Sequence, residues 1–152
     1  MADFIHLTNK TEYSLSEGAL PIARIAELCQ SFSMPAVGIS DNNNMFGALE
    51  FSEQIAKIGV QPILGCNIKI KTPKEYLHKN IKDNDLYFFL NIFSKSKEGY
   101  ENLLKCISNA YTLNKGNAYV TINDLIKFKE GLIILSGGNN SILTHSTGHM
   151  IT

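Results

Sequence analysis

Apolar and polar positions along this chain follow two periods, and the period keeps switching between them. "FIHL" at residues 4–7 is a short apolar run closed by polar residues, which predicts a buried strand. "PIARIAELCQSF" follows with Ile22, Ile25, Ala26, Leu28 and Cys29 near one helical face, and Pro21 suits a first helical turn. "AVGIS" predicts a second strand, closed by the loop chemistry of "DNNN". "GALEFSEQIAKIG" reads as a helix stopped by Gly59. "VQPILG" is a third strand, and "NIKIK" alternates as a strand with one wet face. "TPKEYLHKNIKDND" has no clean period and reads as a loop or insertion. "LYFFLNIFS" is an apolar, aromatic strand. "KEGYENLLKCISNAY" predicts a helix with Tyr100, Leu103, Leu104, Ile107 and Ala110 facing inward. "TINDLIKF" predicts a short helix with Thr121 as N-cap and Asp124 at its third position. "GLIILS" is a last buried strand.

The resulting order is β-α-β-α-β, a loop, then β-α-α-β. Alternation of this kind predicts an α/β fold with a mostly parallel sheet and helices outside it. An open doubly wound sheet and a barrel both satisfy it. No internal repeat or low-complexity block interrupts the pattern.

Composition narrows the function classes. The 152 residues suit one compact domain, and 44% apolar with 18% charged residues is the balance of a folded chain. Lys and Arg total 14, as do Asp and Glu, so there is no cation excess to drive tight nonspecific nucleic-acid binding. A basic patch around Lys69 to Lys82 is explained more simply as a solvated loop. Three scattered cysteines without a CxxC pair exclude a zinc ribbon and fit a reducing, cytoplasmic setting. Cys29 and Cys106 lie in apolar helical patterns, as small core residues do. "MADFIHL" is not a signal peptide, and no apolar run approaches the length of a membrane span.

Parallel α/β folds place their sites beyond the carboxyl ends of the strands. That rule selects loops starting at Thr8, Asp41, Cys66 with Asn67, and Ser136. The polar residues gathered there are Thr8, Lys10, Glu12, Glu17, Asp41, Asn42, Asn43, Asn44 and Asn67. The set is rich in amides and poor in histidine. Cations want carboxylates and imidazoles, amide oxygens are weak neutral substitutes, and a lysine ammonium has no lone pair and repels a cation.

"FIHLTNKTEYSLSEGAL", "ISDNNNMFGALEF", "VQPILGCNIKI", "SKSKEGYENLLKCISNAY" and "GLIILSGG" together resemble the PHP (polymerase and histidinol phosphatase) domain family. "NMFGA" and "GYENL" are similar to the branch at the N-terminus of bacterial DNA polymerase III alpha subunits. The resemblance implies a distorted β/α, TIM-like, PHP-type barrel with metal ions at its strand ends. It also implies that residues 1–152 are only the N-terminal portion of such a domain, from a longer chain or a split gene. A barrel cut midway is expected to dimerise, aggregate or close as an open sandwich.

The family's metal-ligand positions fall by resemblance on Thr8 and Lys10 for a His-x-His pair, Asp41 and Asn42 for Asp-His, Asn67 for Glu, Phe89 for His, and Glu17 as a surviving acidic residue. The resemblance thus implies a degenerate site with no catalytic residue, no metal and no cofactor. Lys10 is expected to pair with Asp41 or Glu17 in place of an ion, against the plain alternative of a solvated lysine. The function implied is a structural and partner-binding scaffold in DNA replication. Its partners would be the remainder of the alpha subunit and the proofreading exonuclease subunit, with DNA reached only through the parent polymerase and no membrane contact. An active metal-dependent phosphoesterase or exonuclease, drawing on Glu12, Glu17 and Asp41, is the rival. A free-standing interaction module from a split gene is a third reading.

Other candidates carry less. His145 and His149 are four apart but flank Gly148 near the chain end. "SGGNNS" lacks a full phosphate-loop pattern. Tyr87, Phe88, Phe89 and Phe93 are better explained by a buried strand than by base stacking. His78 sits in a polar stretch, and Ser14 and Ser136 have no visible His-Asp partners.

Overall fold

The computed structural model describes residues 4–15, 17–73, 87–114 and 117–136. "TPKEYLHKNIKDND" beyond Pro73, "SGGNNS" beyond Ser136, and His78, Lys82, His145 and His149 lie outside the described residues. The elements are α1 (Ile22–Ser31), β1 (Ala36–Asn42), α2 (Ala48–Lys57), β2 (Gln61–Lys71), β3 (Tyr87–Ser94), α3 (Lys97–Leu113), α4 (Ile122–Lys127) and β4 (Leu132–Leu135). The strands form a mixed α/β fold with a four-stranded sheet in the order β1-β2-β3-β4, which does not close on itself among the described residues. The chain divides into two compact units at Cys66 and Asn67, inside β2.

In the first unit, α1 and α2 bury Ile22, Ile25 and Cys29 and Phe51 and Ile55 into one cluster with Val37, Ile39 and Val60. Burying large apolar side chains of this kind is worth about 1.5–3 kcal/mol each. The α1 helix has no side-chain cap at Pro21. Its first free N–H, at Ile22, is met instead by the Glu12 carboxylate at 3.1 Å, which also suits the positive end of the helix dipole. Gly59, with φ of +75°, stops the turn after α2.

The expected first strand is not formed. Residues 6–9 run parallel to β1 through the bonds Gly38 N–H to His6 O and Ser40 N–H to Asn9 O, both 2.8 Å. The pairing is a single bridge, Asn9 to Ile39. Phe4 and Ile5 are exposed, so the segment is not buried. The Asn9 amide donates to the carbonyls of His6 and Gly38 and so pins the segment to β1 through a side chain. The β1 strand itself runs two residues further than expected and takes Asp41 and Asn42 into the sheet.

The β2 strand runs from "QPILG" through "NIKIK" without a break, so Cys66 and Asn67, expected to open a loop, lie inside it. The alternation is as expected: Ile68 and Ile70 are buried while Asn67, Lys69 and Lys71 face the wetter side. In β3, Phe88, Leu90 and Ile92 are buried and Tyr87, Phe89 and Asn91 half-buried. The mostly parallel sheet is corrected at one edge, because β4 pairs antiparallel to β3 with Ile92 opposite Ile134. The β4 strand is also not buried. Among the described residues it pairs with one neighbour only, and Ile133 and Ile134 are exposed.

The α3 helix is capped by Ser96, whose hydroxyl accepts from Gly99 N–H. It faces inward with Gly99, Leu103, Cys106 and Ala110, and Leu104 is exposed rather than inward. A Cβ at Gly99 would lie 1.9 Å from the Gly131 carbonyl oxygen, so this helix start and the β4 approach touch backbone to backbone. The capping box of α4 forms as its sequence predicts, between Thr121 and Asp124. Burial, with a smaller push from Asp124, raises the Cys106 thiol to about 12. Burial also raises Cys29. These two thiols are core side chains kept protonated.

Candidate functional site

The first unit concentrates polar chemistry where residues 10–15, 17 and 18 close over the end of β1. The segment is a run of tight turns held by Ser14 N–H to Thr11 O, Glu17 N–H to Ser14 O, and Gly18 N–H to Ser14 O at 2.7 Å. A Cβ at Gly18 would fall 1.7 Å from the Thr11 carbonyl oxygen, so only glycine fits the return of the chain there. The Tyr13 phenol donates to Glu50 on α2 and fastens the loop from outside. That carboxylate raises the Tyr13 hydroxyl above its ordinary value of 10.0.

Asp41 lies beneath this loop and is 1% exposed. Its Oδ1 accepts from Thr11 N–H at 2.7 Å and from the Ser14 hydroxyl at 2.6 Å. Its Oδ2 accepts from the Thr11 hydroxyl at 2.7 Å. Both hydroxyls accept in turn, Thr11 Oγ1 from Tyr13 N–H and Ser14 Oγ from Asn42 N–H. The Cys66 thiol donates to the Asp41 carbonyl at 3.2 Å. The carboxylate is therefore enclosed by neutral donors from the loop, each bond shortened by the charge it serves. Asn44 completes the enclosure, its amide donating to the carbonyls of Tyr13 and Asn42.

Lys10 pairs with Glu17, not with Asp41. The hydrogen bond from Lys10 holds Glu17 below its ordinary value of 4.5, aided by a bond from the Asn42 amide and by the ammonium charge. Two positions selected from the sequence, Lys10 and Glu17, thus meet through their side chains, and Asn42 contributes to the Glu17 shift. Asp41 adjoins them through Ser14. Thr8 is exposed and takes no part. Asn67 and Phe89 belong to the second unit, half-buried on β2 and β3, and the Asn67 side-chain amide oxygen is buried without a partner among the described residues. Ser14 is a hydrogen-bond relay to Asp41 with no imidazole, so it has no base to make it a nucleophile.

This donor set does not fit a metal cluster. Among the described residues no three His, Cys, Asp or Glu side chains gather. Asp41 has three of its four carboxylate lone pairs occupied, Glu12 caps α1, and Glu17 holds an ammonium. The buried, unpartnered oxygen of Asn42 is a neutral amide, a weak ligand by itself. Sequence reasoning missed Thr11 as a partner of Asp41 and read Ser14 only as a poor nucleophile. The signal available was their spacing in "TEYS", two hydroxyls three residues apart in a turn-forming loop.

Comparison with known proteins agrees with this architecture. The family model described as "PHP domain" matches residues 6–150. The DNA polymerase III subunit alpha of Rickettsia felis is 38% identical over 135 residues, 88% of this chain and 10% of that protein. The same subunit of Haemophilus influenzae is 32% identical over 136 residues, 89% of this chain and 11% of that protein. The chain thus spans about a tenth of the length of the curated relatives it matches. Among solved structures, an amidohydrolase from Chromobacterium violaceum with bound sulfate and no metal aligns over 70% of this chain and 32% of its own, with a TM-score of 0.51 and 13% identity. At that identity the likeness speaks for the fold alone. No helix among the described residues is long and apolar enough to cross a membrane.

Proposed function

Because this chain belongs to the PHP domain family, we propose that it is the N-terminal portion of a PHP domain in a cytoplasmic, replicative DNA polymerase III alpha subunit. Its site is degenerate, free of metal and without catalytic activity. Its work is structural: it braces the polymerase and offers a surface to replisome partners, the proofreading exonuclease subunit first. Nucleotidyl transfer and DNA contact belong to the rest of that polymerase. The similarity to alpha subunits over most of the chain supports the assignment.

The observation that carries the inactive reading is the commitment of Asp41. A carboxylate whose two oxygens already take three hydrogen bonds from Thr11 and Ser14 keeps one lone pair, on Oδ2, and would have to break those bonds before it could bridge ions or grip one with both oxygens. Rebuilding that buried network costs about 1.5–3 kcal/mol per bond to a charged group. Glu12 and Glu17, the other carboxylates a working phosphoesterase would draw on, are engaged as well.

The test is metal content and turnover. The full chain is purified without chelators, its manganese, zinc and iron are measured, and hydrolysis of a generic phosphoester is assayed with manganese or zinc added. The expected outcome is far less than one metal per chain and no turnover above that of Asp41→Asn. One ion per chain, with hydrolysis lost in Asp41→Asn, overturns the reading in favour of an active phosphoesterase.

A further inference from the structure

We infer that the Lys10 ammonium is a built-in counter-cation, which neutralises Glu17 at the mouth of the Asp41 enclosure and closes that place to divalent ions. The inference rests on the degenerate reading of the site and adds to it a named residue that keeps the site degenerate.

Three observations support it. Lys10 is bracketed by anchored residues. Asn9 is fixed to β1 by Ser40 N–H and by its own amide on the Gly38 carbonyl, and Thr11 is fixed by its N–H on Asp41. The stem of the lysine is therefore aimed by backbone held on both sides, unlike a lysine on a free loop. Second, the lysine is the more enclosed partner, with its side chain 28% exposed against 58% for Glu17. Lysines are ordinarily among the most exposed side chains, and enclosing one calls for a counter-charge. Third, the Asn42 side chain stands near enough to Glu17 to help lower its carboxyl, and its amide oxygen is buried without a partner among the described residues. Removing the ammonium would leave the Glu17 carboxylate without its counter-charge in the neighbourhood of that amide. A bare carboxylate is an oxygen donor of the kind that hard cations take. The ammonium fills the place with a charge that repels such ions and has no lone pair to offer them.

Titration of the full chain with manganese(II) tests this, read as paramagnetic broadening of the Asn42 and Glu17 side-chain signals by NMR. Lys10→Met is expected to reach half-broadening at a manganese concentration at least about tenfold below that of the unaltered chain. Lys10→Arg, which keeps the charge, is expected to behave as the unaltered chain does. Equal broadening of the unaltered chain and Lys10→Met overturns the inference and leaves the degenerate reading standing. Manganese retained by the unaltered chain through desalting, at one per chain, overturns both. Should Lys10→Met fail to fold, Lys10→Met with Glu17→Gln is read instead. Recovery of the fold supports a bare carboxylate as the lesion, and continued unfolding overturns the inference.

Discussion

Asp41 and Glu17 are both carboxylates, both stand at positions where metal-binding relatives are expected to hold ions, and the chain treats them in opposite ways. Asp41, at the buried end of β1, is surrounded by neutral donors that the loop 11–14 supplies. Glu17, on the exposed side of the same loop, is met by a full positive charge and an amide. The difference follows from solvent. A buried carboxylate needs donors on both oxygens, because an unmet one costs the whole desolvation penalty. An exposed carboxylate needs little, and an ion pair there adds little to stability. One carboxylate thus organises the fold while the other shapes what ions can approach.

The largest effect should come from the enclosed side. Asp41→Ala leaves the Thr11 N–H and two hydroxyls buried without an acceptor, and should cost about 3–5 kcal/mol in urea unfolding. Asp41→Asn keeps the shape and part of the acceptor capacity, and should cost about half as much. If Asp41→Ala cost no more than Glu17→Ala, the contrast drawn between the two carboxylates would be wrong.

Gly18→Ala comes next and joins the two sides. Its Cβ would meet the Thr11 carbonyl at 1.7 Å, and a backbone atom cannot swing aside as a side chain can. The loop must shift, at about 1–3 kcal/mol. Because Thr11 and Glu17 ride on that loop, the variant should disturb the Thr11 amide and weaken the Lys10–Glu17 pair together. Glu17→Gln should leave the Thr11 amide where it is. Amide shifts of Thr11 and Ser14 separate the two outcomes.

Much of this arrangement was legible in the sequence, and the parts that were not share a cause. The helices α1 to α4 follow from apolar spacing and from caps such as Thr121 with Asp124, all of which are local. The positions of Lys10, Glu17 and Asp41 followed from resemblance and from strand-end spacing. Their partners did not. The Thr11 and Ser14 hydroxyls reach Asp41 across 30 and 27 residues, a contact made by the closing of a loop and carried by no periodicity. The same limit explains the strands. "FIHL" and "LIIL" are apolar enough to be buried, but burial depends on what lies over them, and in the described residues each is partly exposed.

The smallest predicted effect is the most specific. Glu17 titrates below its ordinary value of 4.5 in the folded chain because Lys10 and Asn42 bind its charged form. A carboxyl depressed by folding contributes stability above its unfolded value and loses it as pH falls through the folded one. Glu17→Gln carries no such charge. The stability gap between the unaltered chain and Glu17→Gln should therefore be constant near neutrality and close progressively below pH 4.5. With the Glu17 side chain 58% exposed, solvent screening limits the gap to about 0.5 kcal/mol, and molar salt should shrink it further. Urea midpoints measured from pH 3 to 7 give the curve. A gap that widened toward acid would mean that the pair strains the loop instead of holding it, and that Lys10 is tolerated at this site and not used by it.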